Sequence, residues 1–397
     1  MTINLYMDSA KPRLWIISEL FPPEETSTAY IMGEIANAMT SKYDVKVICG
    51  PEIYDSSKKG NAAATNSSLD VIRVNGIKED KNNKFSRIRK FLLMSRRLYC
   101  VANKNIQKGD NVLMVSNPFP LILFMAYLRT RRNFNLNMLV HDVFPESLYT
   151  DIKIPRFFNL ILSSLFNRSY ATADQLIAIG RDMKEILSIK TKGRTSISII
   201  ENWADITNIH PRPQSSNFND KIVIQYAGNI GKAQGVSNIV DFIKDANNPK
   251  LIFEVWGNGS VIDNVKEKIV SYNLSEKVSL KGTYLRSEQD RVLSHCDIAI
   301  VTLVEGMYGL GTPSKSYNIL AAGKPILYIG EKNTEIWLMV EEYNIGFCFL
   351  PSDNNGIIHF LSTVSKEQLN EMGVRARKLA EQRYSKEIIL NKFCDII

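Results

Sequence analysis

Short apolar runs alternate along the first half of the chain with longer stretches whose apolar residues recur at helical spacing. The short runs are LWIIS, VKVICG, NVLMVS, LNMLVHD, QLIAIG and SISIIEN. Rich in Val, Ile and Leu and bounded by turn residues, they read as strands, and strands alternating with helices predict a parallel sheet covered by helices. The rhythm breaks at the polar, proline-bearing HPRPQSSNFND and restarts with IVIQYAG, LIFEVWG, KVSLKG, DIAIVTL and KPILYIG. Two α/β domains are therefore predicted, over 1–205 and 221–379, joined by a linker at 206–220. Ligands of doubly wound sheets collect at the carboxyl ends of the strands, so the loops after these runs and the cleft between the domains are where chemistry is sought.

A length of 397 residues agrees with two domains, and 45% hydrophobic with 23% charged residues excludes disordered and fibrous classes. The first residues lack a basic segment followed by a long apolar one, and PLILFMAYL is too short to span a bilayer, so a cytoplasmic chain is expected. Cys49, Cys100, Cys296, Cys348 and Cys394 show no CxxC spacing and read as small packed hydrophobes. His141, His210, His295 and His359 form no metal-binding pattern, and no metal is expected. A net charge of +8 points to anionic partners, and with no helix-turn-helix, zinc or stacking-aromatic signature it does not point to nucleic acid.

Three glycine turns follow strands of the second half. YAGNIGKAQG sets Gly228, Gly231 and Gly235 between a strand and a helix, where backbone can approach a ligand closely. EVWGNGS adds Gly257 and Asn258. In GLGTPSKSYNILAAGKP, Thr312 is placed to cap a helix of about ten residues, with Pro313 at its first position and Gly323 at its end. Ser314 and Lys315 add a hydroxyl and a full positive charge to the helix amides, a setting suited to a diphosphate. Alone, the first turn reads equally well as plain structure, and the PSK turn reads better as a capped helix with an exposed lysine; their gathering on one sheet edge favours a nucleotide.

The order FPPE, HDVFPES, ADQLIAIGRDM, IENWAD, YAGNIGKAQG, WGNGS, LKGTY and PSKSYNILAAGKP resembles glycosyltransferase family 4, enzymes of the two-domain GT-B fold, through nearly the whole chain. Within it the chain is most similar to bacterial L-fucosamine-type transferases of O-antigen and capsule assembly. The resemblance implies two Rossmann-like domains, a final helix within 380–397 that crosses back to the first domain, and retaining chemistry. It implies a donor, uridine diphosphate sugar with guanosine diphosphate as the alternative, held by Gly228, Asn229, Gly231, Gly257, Asn258, Tyr284, Thr312, Pro313, Ser314 and Lys315. Lys232 and Lys315 would stabilise the departing diphosphate, and neither a cofactor nor a metal is called for. On the acceptor side it points to His141 and Asp142, and to Glu24, Ser27, Thr28 and Glu146. The family's paired glutamates fall on Leu310 and Asn318, and its usual Arg and Lys on Asn229 and Gln234.

A nucleotide-sugar epimerase of the same fold and a catalytically silent partner subunit are the rival readings. Residues 81–108 carry Lys and Arg but no Asp or Glu. At helical spacing Ile88, Phe91, Leu92, Leu98, Tyr99 and Ala102 share one face, and Arg89, Lys90, Arg96, Arg97 and Lys104 the other. This predicts a helix lying on an anionic membrane, at the inner face of the cell membrane, where a polyprenyl-diphosphate-linked acceptor would be met.

Overall fold

The computed structural model describes residues 11–52, 69–77, 84–150, 155–212 and 220–397. The first half runs β1 (Arg13–Ser18), α1 (Ser27–Met39), β2 (Asp44–Cys49), β3 (Asp70–Arg73), α2 (Lys84–Asn105), β4 (Asn111–Val115) and α3 (Pro120–Arg131). It continues with β5 (Asn135–Val140), α4 (Arg156–Tyr170), β6 (Gln175–Ala178), α5 (Arg181–Thr191) and β7 (Ser196–Ile199). The second half runs β8 (Ile222–Ala227), α6 (Val236–Asp245), β9 (Leu251–Trp256), α7 (Ile262–Ser271), β10 (Val278–Gly282), α8 (Gln289–Ser294) and β11 (Ile298–Thr302). There follow α9 (Lys315–Ala321), β12 (Ile326–Ile329), α10 (Glu335–Tyr343), β13 (Gly346–Phe349), α11 (Asn354–Thr363), α12 (Lys366–Arg383) and α13 (Lys386–Ile396).

The strands form two parallel sheets, ordered β3-β2-β1-β4-β5-β6-β7 and β10-β9-β8-β11-β12-β13. Every residue of β8 and β11 is buried, as a strand covered on both faces by helices requires. In each sheet the order reverses beside the first strand, between β1 and β4 and between β8 and β11, and a crevice opens there at the carboxyl ends. The sheets carry one strand more apiece than the apolar runs predicted: β3 and β13, both short edge strands.

The segment after β7 is held by the second half. Arg377 on α12 donates to the carbonyls of Ile206, Ile209 and Ala321 at 3.2, 2.7 and 2.6 Å. The chain then returns: Ala204 bridges Ser385, and α13 packs on α1 with ion pairs Lys386–Glu34 at 3.2 Å and Lys392–Glu201 at 2.8 Å. Residues 213–219 of the expected linker lie outside the described residues.

Three local expectations need correction. The helix after the PSK turn has seven residues and starts at Lys315, with Ser314 preceding it, so Thr312 does not cap it and Pro313 is not its first residue. On α2 the face against the sheet is Lys90, Met94, Leu98 and Ala102, so Lys90 is buried and Leu92 is exposed, because the sheet contact is rotated from the stripe read off the sequence. Cys100 is exposed on that helix rather than packed.

Candidate active site

The crevices of the two sheets face each other across one cleft of about 1160 Å³. On the second sheet, the ends of β8 and β9 are pressed together. Gly228 N donates to Trp256 O at 2.9 Å, Gly257 has φ +127°, and a Cβ there would lie 1.9 Å from Gly228 O. No other residue fits that position. A Cβ on Gly259 would likewise strike Ile230 O at 2.3 Å. The strand ends therefore present bare backbone to the cleft.

Lys315 reaches across this backbone. Its Nζ sits 3.5 Å from the centre of the Tyr226 ring and beside Gly228, and it is inaccessible and has no hydrogen-bond partner among the described residues. Burial lowers its pKa from 10.5 to about 7. The Tyr226 hydroxyl donates to Asn229 O at 2.5 Å and holds the ring under the ammonium. An unpaired buried cation against glycine backbone is a site for an anion. Further along the edge, Tyr284 packs edge-on against Trp256, whose Nε1 donates to the buried Glu254 at 3.1 Å. This fixes the Tyr284 ring as an aromatic wall of the cleft, which Gly257 and Asn258 also line.

The opposite wall comes from the end of β5. Backbone amides of His141 and Asp142 donate to Ser116 Oγ at 3.1 and 3.2 Å, and Asp142 accepts from Asn117 Nδ2 at 2.6 Å. Burial pushes the His141 pKa down to about 4, so the ring is neutral at pH 7, and its Nε2 has no hydrogen-bond partner among the described residues. Burial raises the pKa of Asp142, opposed by the Asn117 bond.

The loop 303–314 closes the gap between the two walls. Val143 N donates to Leu310 O at 2.9 Å, Asp142 bridges Gly311, and Gly309 N donates to Asp182 at 3.2 Å. Tyr308 reaches Glu185 at 2.8 Å, and Arg181 on α5 pairs with Glu335 and Glu342 of α10 at 3.0 and 2.5 Å. Leu310 thus contributes a carbonyl to the domain contact and a buried side chain. Asn318 accepts from Asp205 N at 3.0 Å and donates to Gln289 at 2.9 Å, tying the cleft floor to the segment between the sheets.

Most of the residues singled out from the sequence line this one cleft: His141, Asp142, Gly228, Asn229, Gly257, Asn258, Tyr284, Thr312, Pro313, Ser314 and Lys315, with Ser27 at the start of α1. Five do not. Lys232 is exposed on a 3-10 turn, flanked by the lining residues Asn229 and Gln234, and Gly231 shapes that turn by donating to Gln234 at 3.1 Å. Glu24 and Thr28 are not among the lining residues, which here are their neighbours Glu25 and Ser27. Glu146 faces α5, where it accepts from the buried Lys190 at 2.6 and 2.8 Å, so its carboxylate is a structural counter-charge. Sequence reasoning missed Tyr30 and Arg286. The guanidinium of Arg286 lies 3.7 Å from the Tyr30 ring centre and 3.8 Å from Asp205, a contact between residues 256 apart that no local pattern announces.

A model of the "Glycosyl transferases group 1" family matches residues 209–382, the half that carries the glycine turns and Lys315. The "Probable glycosyltransferase WbjE" of Pseudomonas aeruginosa is 30% identical over 390 residues, 96% of each chain. The chain belongs to the group 1 glycosyl transferases. It is a glycosyltransferase of the GT-B fold, two doubly wound domains facing each other across a cleft. A second relative of this glycosyltransferase, the "Putative colanic acid biosynthesis glycosyl transferase WcaI" of Escherichia coli, is 24% identical over 59% of this chain and 60% of its own. Among solved structures, Anabaena HepE in complex with UDP has a TM-score of 0.68 at 14% identity, covering 96% of this chain and 98% of its own.

Proposed function

We propose that this glycosyltransferase is a retaining enzyme that moves a sugar, an N-acetylated amino sugar of the L-fucosamine kind, from a uridine diphosphate donor to a polyprenyl-diphosphate-linked glycan. Its setting is the assembly of a bacterial surface polysaccharide, O-antigen or capsule, at the inner face of the cell membrane. The observation that carries the donor reading is Lys315 Nζ, buried and unpaired over glycine backbone. The relatives support the polysaccharide setting and the choice of uridine nucleotide: one carries colanic acid biosynthesis in its name, and HepE was solved with UDP.

In this reading the second domain, 221–379, holds the diphosphate against Gly228 and Lys315, and the base lies along the Tyr284 wall near Gly257 and Asn258. The first domain, 1–205, holds the acceptor near His141, Asp142 and Ser27. The acceptor hydroxyl attacks the anomeric carbon from the face the diphosphate leaves; the carbon–oxygen bond to the β-phosphate breaks, and the leaving oxygen takes the hydroxyl proton. No protein nucleophile enters. Negative charge develops on the leaving oxygen, and Lys315 stabilises it in a site where its field is little screened. Neutral His141 offers an uncharged hydrogen-bonding edge to a sugar hydroxyl. Lys232, exposed beside the first glycine turn, has at most a weaker, screened influence.

The test is a thermal-shift panel of UDP, GDP and their sugars, followed by turnover with a polyprenyl-diphosphate acceptor. Stabilisation by UDP compounds and acceptor-dependent release of UDP are expected. Indifference to every nucleotide sinks the donor assignment, and conversion of donor without acceptor to an epimerised sugar replaces transfer with epimerisation.

A further inference from the structure

The solvent side of α4 is apolar. Phe157, Phe158, Leu160, Ile161 and Leu165 are 69, 59, 66, 44 and 45% exposed on a helix whose other side, Phe166 and Tyr170, is fully buried. Successive apolar residues at positions 157, 161 and 165 follow the helical repeat, with 158 and 160 on the flanks, so the five form one crown rather than scattered exposures. A soluble surface seldom leaves two aromatic and three aliphatic side chains together in water.

What covers the crown is indicated by charge. Helices α2, α3 and α4 pack side by side, and none contains an Asp or Glu. At the chain's overall frequency of 41 acidic residues in 397, a layer of that size would carry about five. Exposed Arg89, Arg96, Arg97 and Lys104 on α2 and Arg156 and Arg168 on α4 make the layer one-signed. A second copy docking crown to crown would bring these like charges together. An anionic lipid surface matches both features: apolar side chains enter the headgroup–acyl boundary while guanidinium groups meet phosphates. Among the described residues no helix is long and apolar enough to cross a membrane, so the contact is interfacial.

We infer that α4 is a membrane-inserting crown and that α2, with the arginines of α4, forms its anionic-lipid collar. This rests on the membrane setting proposed above and names the surface that makes the contact. It also moves the apolar part of the contact from α2, whose Leu98 and Ala102 are buried and whose Phe91 and Tyr99 pack on Phe119 and Phe124, to α4. The crown is joined to the cleft: Phe144 N, two residues past Asp142, donates to Tyr170 at the end of α4 at 3.0 Å, and the Phe144 ring packs against Phe166. Docking therefore places the acceptor wall next to the bilayer.

The experiment sediments the full chain with vesicles of phosphatidylglycerol and phosphatidylcholine, and of phosphatidylcholine alone, at low and high salt. Two variants accompany it: Phe157→Ser with Leu160→Ser and Ile161→Ser, and Arg89→Gln with Arg96→Gln, Arg156→Gln and Arg168→Gln. The crown variant should lose binding at least about tenfold at both salt concentrations. The arginine variant should lose about tenfold at low salt and little at high salt, where the wild type has already lost its preference for anionic vesicles. Thermal stabilisation by UDP, measured on each variant, reports folding and donor binding separately: if it persists while vesicle binding falls, the crown acts on lipid alone. Wild-type vesicle binding without any UDP response would sink the donor reading and leave the crown standing. The inference is overturned if the crown variant binds like wild type, if wild type ignores both vesicles, or if light scattering shows a dimer that the crown substitutions dissociate.

Discussion

If a diphosphate sits against Lys315, its binding must draw a proton into the protein. In the free protein burial holds the Lys315 pKa at about 7, against 10.5 for an ordinary lysine. That gap corresponds to roughly 5 kcal/mol, to order of magnitude, working against the charged form. A diphosphate replaces lost solvation with opposite charge and returns the ammonium towards its ordinary behaviour. At pH 8 about one tenth of the free protein carries the charge, so binding takes up about 0.9 proton, and above pH 7 the Kd for UDP rises roughly tenfold per unit. Titration calorimetry in two buffers of different ionisation enthalpy reads the uptake directly. Lys315→Met should bind UDP more weakly at pH 7, take up no proton at pH 8 and show no such slope. Stability moves the opposite way. The folded-state pKa is depressed, so between about 7 and 10.5 the unfolded chain binds more protons, and the free protein gains stability from this residue as pH rises through that window. Proton uptake of the same size in Lys315→Met, or none in wild type at pH 8, would show that the buried ammonium is not what meets the phosphates.

Lys315→Ala should lower kcat about 10²-fold, and Lys232→Ala distinctly less because that side chain is exposed; equal losses with saturating donor would restore Lys232 to the site. His141→Ala and Asp142→Asn should impair transfer to acceptor while leaving the Kd for UDP within a few-fold, since they lie on the wall opposite Lys315; a matching loss of UDP affinity would put them on the donor side. Glu146→Gln should cost about 3 kcal/mol of stability in urea melts, because Lys190 stays buried without its counter-charge, and should leave KM for acceptor unchanged. Gly257→Ala should abolish UDP stabilisation, because a methyl group 1.9 Å from Gly228 O forces the two strand ends apart; unchanged melting with UDP would contradict that geometry.

The fold is readable because a strand buried on both faces must be continuously apolar, and the eleven runs picked from the sequence are the interior strands together with β7 and β10. The two strands that escaped, β3 and β13, sit at outer edges. DVIR is bounded by charges and GFCF is half-buried throughout, so neither has two helical layers enforcing an apolar run. The same logic explains α2. Its apolar and basic residues are both plentiful, and which of several overlapping faces turns inward is settled by packing against β2 and α3, with Lys90 on the buried side.

The site divides along a similar line. Glycines 228 and 257 and Lys315 stand in short contiguous motifs, so their chemistry can be read from neighbours in sequence. Glu146 stands in such a motif too, yet its partner Lys190 is 44 positions away, and a carboxylate is an acceptor-side group only if no nearer cation claims it. Arg286 and Tyr30 carry no motif at all and acquire a role only when the domains meet. Motif reading is therefore strongest where backbone geometry dictates the residue, and weakest where a side chain's function depends on which distant charge it meets. Lys315 combines both: the motif places it beside the glycines, and only the packing of Tyr226 beneath it and the lack of a hydrogen-bonding partner among the described residues turn it from an exposed helix lysine into a cation that an anionic ligand must neutralise.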